Sequence, residues 1–225
     1  MSNFYGAGAR TLQDKFDTRR LADKEIKLII HDEITDDDRA FIESRDMLFL
    51  ATVDREGRPQ CSFKGGAPGF VKVLDKRTIA FPCYDGNGMF LSMGNILENG
   101  KIGVLFIDFE NPRRLRLNGT ATLHEEDALL PEYHEAQFIV RVQVESLFVN
   151  CDRYVHRFKR LESSRFVPSA ICDTPMPDWK KLAAVQDALP TRDLEKVRSE
   201  RVRQGLGVSQ LSVADNSPNG SRGKK

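Results

Sequence analysis

Three short stretches of this chain concentrate glycine, small hydroxyls, amides and cations, the groups that hold anions and polar ring edges. In the first, QCSFKGGAPGF (60–70), strand alternation points Gln60, Ser62 and Lys64 to one face and Cys61 and Phe63 to the other. In the second, FPCYDGNGMFLSMGN (81–95), Gly86 and Gly88 permit close backbone approach. Asn87, Ser92 and the first N–H groups of a following helix could there bind an anion. In the third, NPRRLRLNG, Arg114 and Arg116 share a face and Arg113 stands at the strand entrance. Taken singly, each has an ordinary reading: a solvated lysine at a hairpin end, a loop, a surface arginine pair. Together they suit a phosphate attached to a flat heterocycle.

Other chemistries lack their motifs. The chain has no G-x-G-x-x-G opening a βαβ unit, no Walker lysine loop, no H-E-x-x-H and no G-x-S-x-G. His31, His124, His134 and His156 stand singly, without metal-ligand spacing, and no metal site is expected. Cys61, Cys83, Cys151 and Cys172 form no C-x-x-C pair and read as small core residues. No general acid or base stands out, so catalytic residues are left unassigned.

These stretches need a scaffold, and 225 residues with 40% hydrophobic content allow one good-sized domain with appendages. Lys plus Arg (34) nearly balance Asp plus Glu (33), so no overall field draws the molecule to nucleic acid or an anionic membrane. No stretch approaches the roughly 20 apolar residues that cross a bilayer. With no secretory apolar core at the N-terminus, a cytoplasmic address is expected.

The spacing predicts one or two peripheral helices in residues 1–30 and a short helix capped by Thr35, with acids in its first turn and Phe41 and Ile42 on its apolar face. MLFLATV and QCSFK, then FVKVLD and TIAFP, read as two strand pairs. A helix with Phe90, Met93 and Leu97 at helical spacing ends at Asn99-Gly100. IGVLFIDF, RRLRLNGTATLHEE and AQFIVRVQVESLFVN supply the later strands. CDRYVHRFKR is expected as a polar helix or turn, TRDLEKVRSERVRQ as a charged helix, and VADNSPNGSRGKK as disordered. The expected fold is mainly β (α+β), a six- to seven-stranded antiparallel split β-barrel with peripheral helices. Its expected divisions are an N-terminal helical extension (1–40), a barrel (41–168) and a C-terminal extension (169–225) whose last 15 or so residues are disordered.

The run from Leu50 to Ala121 carries D-x-x-G-x-P-x-x-S-x-K-G-G, G-N-G-x-x-x-S-x-G-N-I and R-R-L-R-L-x-G in order. It resembles the core of pyridoxamine 5'-phosphate oxidase-related, FMN-binding split-barrel proteins. The later E-S-L-F-V-N-C-D-R-Y-V-H-R is similar to the closing segment of one branch of that family. The resemblance implies a homodimer with FMN at the subunit interface. It implies cofactor contacts from Gln60, Ser62, Lys64, Phe81, Pro82, Asn87, Gly88, Met89 and Ser92, with Arg114 reaching the flavin from the other subunit. Pro59 stands where the authentic oxidase has an arginine, and YDGNGMFLSMG replaces its Ser-Arg-Lys phosphate clamp, which implies a distinct branch. The implied activity is that of an oxidoreductase passing electrons from a small reduced donor through FMN to oxygen or another acceptor. Alternatives are a non-catalytic flavin carrier or redox-responsive binding module, and a binder of haem or a deazaflavin.

Overall fold

The computed structural model describes residues 4–203. The chain divides into two compact units, Met1–Asp173 and Thr174–Lys225.

The first unit is built on one seven-stranded antiparallel sheet in the order β2-β1-β5-β6-β7-β4-β3. Its strands are β1 (Met47–Val53), β2 (Pro59–Gly65), β3 (Lys72–Asp75), β4 (Thr78–Cys83), β5 (Lys101–Asp108), β6 (Arg113–His124) and β7 (Phe138–Asn150). The sheet does not close on itself, leaving β2 and β3 as its edges. This is the split-barrel α+β class expected from the strand count.

One face of the sheet carries the core. Leu48, Leu50, Phe106, Leu115, Leu117, Ile139 and Leu147 are completely buried, each side chain contributing about 1.5–3 kcal/mol relative to exposure. Period-2 alternation produces this: along β1 the buried residues are Leu48, Leu50 and Thr52, while Met47, Phe49, Ala51 and Val53 face outward. The long β6–β7 ladder is broken by a bulge, where Asn118 pairs with Ser146 but Gly119 pairs with Val144. Only glycine fits there, because a Cβ on Gly119 would come within 2.3 Å of the Gln143 carbonyl oxygen.

Helices α1 (Ala7–Lys15), α2 (Arg19–Ile29) and α3 (Asp36–Glu43) precede the sheet, and α4 (Leu91–Asn99) lies between β4 and β5. The Thr35 cap of α3 is a full capping box: Thr35 Oγ1 accepts from the Asp38 N–H at 3.2 Å and the Thr35 N–H donates to Asp38 Oδ2 at 3.0 Å. His31 Nε2 lies 2.7 Å from the same carboxylate. Burial pushes the Asp38 carboxyl up, but the Thr35 hydroxyl and N–H, then His31, hold it net below its ordinary value.

Two expectations are corrected and a third is narrowed. The buried face of α4 is Ser92, Met93, Asn95 and Ile96, whereas Phe90 and Leu97 are exposed; the apolar residues visible in the sequence do not mark the packed side. Three of the four cysteines are not core residues: Cys61, Cys151 and Cys172 are exposed, because Cys61 falls on the outward parity of β2 and the other two lie outside the strands, whereas Cys83 is half-buried and packs against the core. For residues 151–160, expected as a polar helix or turn, the turn is what forms, at Arg153 and Tyr154, and no helix. There the Phe158 N–H donates to Phe109 O at 3.0 Å and Arg157 Nε to Glu110 O at 3.1 Å, so these donors serve the β5–β6 turn rather than a helix of their own.

The second unit has its own small core. Met176 and Val197 are buried, and Lys180 Nζ pairs with Asp193 Oδ2 at 2.7 Å with both side chains nearly fully enclosed. The charged run forms α5 (Thr191–Arg203). The terminal stretch expected to be disordered lies outside the described residues. No helix among the described residues is long and apolar enough to cross a membrane.

Candidate functional site

The interior face of the sheet changes character at its β2 edge. Pairing places Lys64 opposite Leu48, Ser62 opposite Leu50 and Gln60 opposite Thr52, so these three polar side chains continue the row of buried core positions. Among the described residues no strand lies beyond β2, and α4 packs across β1 and β2. Between them opens a cavity of about 220 Å³. Its lining comes from Gln60, Cys61, Ser62 and Lys64 on β2, from Cys83 at the end of β4 and Tyr84 after it, from the loop Gly86–Phe90, and from Leu91, Ser92 and Met93 of α4.

Three features make this cavity suited to an anion. Lys64 is the one charged side chain in the lining, and no ion-pair partner for it occurs among the described residues. The N-terminus of α4 opens into the same space without a side-chain cap, which leaves first-turn N–H groups available and the positive end of the helix dipole uncovered. The hydroxyls of Ser62 and Ser92 meet at 3.0 Å, adding donors that can reorient toward a ligand.

The loop that delivers α4 is conformationally demanding. Gly88 has φ 76°, and Phe90, the residue before the helix, has φ 49° in the left-handed region that a side chain disfavours. Such conformations cost about 1–3 kcal/mol each for non-glycine residues and persist at ligand clamps. Asn87 holds the turn by accepting from the Met89 N–H at 3.0 Å. Met89, Phe90 and Leu91 consequently stand exposed at the rim, an apolar margin above a polar floor. Burial pushes the Cys83 thiol up, with nearby Lys64 opposing the shift, and burial also raises Tyr84.

Seven of the ten residues singled out in the sequence therefore meet in one cavity: Gln60, Ser62, Lys64, Asn87, Gly88, Met89 and Ser92. Phe81 and Pro82 do not line it. Both residues are buried, and Pro82 has no N–H, so any backbone donation at this strand end must come from its neighbours. Arg114 does not line the cavity either. It shares its face with Arg116, which lies in a row with Leu105, Phe49 and Phe63 on the outer side of the sheet, whereas Lys64 is on the inner side. Arg114 donates to the Cys151 carbonyl, and its Nε is buried without a partner. The sequence reading missed Cys61, which it pointed to the other face of β2, and also Cys83, Tyr84, Phe90, Leu91 and Met93. Cys83 ends β4 and Tyr84 follows it, a position at the strand end that is the one signal that could have found them.

Residues 34–160, more than half of the chain, match the family model described as pyridoxamine 5'-phosphate oxidase. No curated protein sequence matches. Among solved structures, the chain is similar to HupZ of Group A Streptococcus, at 25% identity over 52% of this chain and 93% of that one, with a TM-score of 0.42. It is similar also to HutZ, the heme storage protein of Vibrio cholerae, at 20% identity, 52% and 94% coverage and a TM-score of 0.40. An FMN-binding protein of Syntrophomonas wolfei shows 12% identity, 62% and 97% coverage and a TM-score of 0.39. The match across the whole sheet places this chain in the pyridoxamine 5'-phosphate oxidase family.

Proposed function

We propose that the cavity between β2 and α4 holds the phosphate end of FMN and that the protein is an FMN-dependent oxidoreductase acting as a homodimer. The observation that carries this reading is the convergence of the unpaired Lys64 with the uncapped N-terminus of α4 in one polar cavity. The residues present fit the cofactor. Lys64, Ser62, Ser92 and the first-turn N–H groups suit a phosphate, Gln60 a ribityl hydroxyl, and the Met89–Leu91 rim an apolar ring edge. Phe81 and Pro82 form the buried backing of this wall.

When bound, FMN supplies a ring that accepts a hydride or single electrons from a reduced donor and passes them to oxygen or another acceptor. The chain contributes binding, orientation and charge. The cavity lining has no carboxylate and no histidine, so its cation and dipole act on negative charge rather than as a proton relay.

A second copy is proposed because the cavity is incomplete alone. About 220 Å³ falls below the roughly 300–1,000 Å³ typical of cofactor sites. The outer faces of β1 and β2 leave Phe63 59% and Val53 37% exposed, beside Ala51 and Cys61. Packing two such faces covers this patch, and Arg114, on the same outer side of the sheet, is the residue proposed to reach the partner copy's flavin. Three exposed unpaired cysteines fit a reducing, cytoplasmic setting.

Titrating the purified chain with FMN, followed by flavin absorbance and fluorescence quenching, tests the reading. Binding that weakens on Lys64→Ala is expected; no binding, or equal binding by the variant, overturns it. Turnover with NADH or NADPH separates an enzyme from a flavin carrier, for which bound flavin stays inert to free reductant. A Soret band in the purified protein would replace flavin with haem.

A further inference from the structure

The buried polar residues of this protein are unevenly placed. Seven polar or charged residues are buried among the described ones, and three of them, Thr52, Ser92 and Asn95, lie together where α4 meets β1 and β2. Ser92, Asn95 and Asn99 recur at intervals of three and four along α4, which puts them on one side of the helix. Each bonds a different point of the sheet. Ser92 Oγ meets Ser62 Oγ at 3.0 Å, Asn95 Nδ2 donates to Thr52 Oγ1 at 2.9 Å, and Asn99 Nδ2 donates to Val53 O at 2.5 Å.

Stability alone does not account for this ladder. Met93 and Ile96, each 4% exposed, already bind the helix to the core. Replacing both members of a buried hydrogen bond by apolar groups of similar shape is close to neutral for folding. Burial of apolar area is also non-directional, so Met93 and Ile96 tolerate small displacements of the helix along its axis. A hydrogen bond does not: it is lost when donor and acceptor move a few tenths of an ångström beyond about 3.2 Å. Asn95 and Thr52 form the enclosed middle rung, with Thr52 1% and Asn95 8% exposed and with no contact to the cavity.

We infer that Thr52 and Asn95 are positioning residues: their bond holds α4 at a fixed height on the sheet and so keeps the open first turn of the helix aligned with Lys64. The inference rests on the cofactor reading above for its effect on affinity, but the positioning itself is a property of the empty protein. Neither residue would touch the cofactor.

The test uses the full chain and the double variant Thr52→Val/Asn95→Leu. Its melting temperature is expected to stay near that of the parent. Its FMN affinity is expected to fall about tenfold, and amide hydrogen exchange in the first turn of α4, measured without FMN, to rise by about the same factor. Thr52→Ser, which keeps the hydroxyl, is expected to retain parent values in both. A double variant that melts, exchanges and binds like the parent overturns the inference. If the double variant does not fold, Thr52→Val against Thr52→Ser gives the same comparison, and equal exchange and affinity in those two overturns it. If the parent chain itself fails to bind FMN, the cofactor reading falls, while the exchange measurement still decides the positioning role.

Discussion

The same face of one sheet does two different things at its centre and at its β2 edge. In the middle, the apolar Phe106, Leu115, Leu117 and Ile139 are completely buried. At the edge, the same row continues as Gln60, Ser62 and Lys64, and the helix lying over it presents Ser92 rather than leucine. The contrast teaches where a site can form in such a fold: where the hydrophobic face runs out and a helix end meets an edge strand, polar groups remain solvated enough to bind a ligand.

Substitutions at the two places should therefore have crossed effects. Phe106→Ala at the centre is expected to cost about 3–5 kcal/mol in urea unfolding, with cofactor affinity at native conditions little changed. Lys64→Ala at the edge is expected to weaken FMN binding by roughly 10- to 100-fold, as for loss of a charge-assisted bond, with an unchanged melting temperature. If Lys64→Ala destabilised the fold as much as Phe106→Ala, the edge would be core and the contrast would fail. On the outer face, Phe63→Glu should convert the proposed dimer to monomer in sedimentation without unfolding it, and should weaken FMN retention through loss of the partner copy.

The smallest effect concerns acid. The side-chain bond from Arg141 holds the Asp127 carboxyl at about 2, below its ordinary 3.8, despite burial that pushes it up. A carboxylate depressed on folding stabilises above its unfolded value, and the increment is lost as pH falls from 3.8 through about 2. Denaturant midpoints measured from pH 6 to pH 2 should fall across that window. In Asp127→Asn the fall should be shallower, and FMN affinity at neutral pH should be that of the parent, since this pair lies outside the cavity.

Much was legible from the chain alone because the signals are local. Thr35 with acids at 36–38 announced a capped helix, and alternation at 60–64 assigned Gln60, Ser62 and Lys64 to one face before any fold was known. The strands followed from period-2 runs punctuated by turns, and the ordered motifs around Lys64 and Ser92 pointed to the family whose model spans residues 34–160. Non-local relations were not legible. That Ser62 meets Ser92 across 30 residues, and Asn95 meets Thr52 across 43, depends on how α4 docks, and the exposed Phe90 and Leu97 concealed which side that was. Likewise, parity within β6 paired Arg114 with Arg116, but only the register through β5 and β1 showed their face to be opposite that of Lys64. Sequence by itself determined the strands and helices of the sheet unit, the inward and outward parity along its strands and the candidate polar groups, since these depend on neighbours one to four positions away. Tertiary structure alone decided which of those groups share a cavity, because long-range pairing and the seating of a helix are set by the packing of the whole sheet.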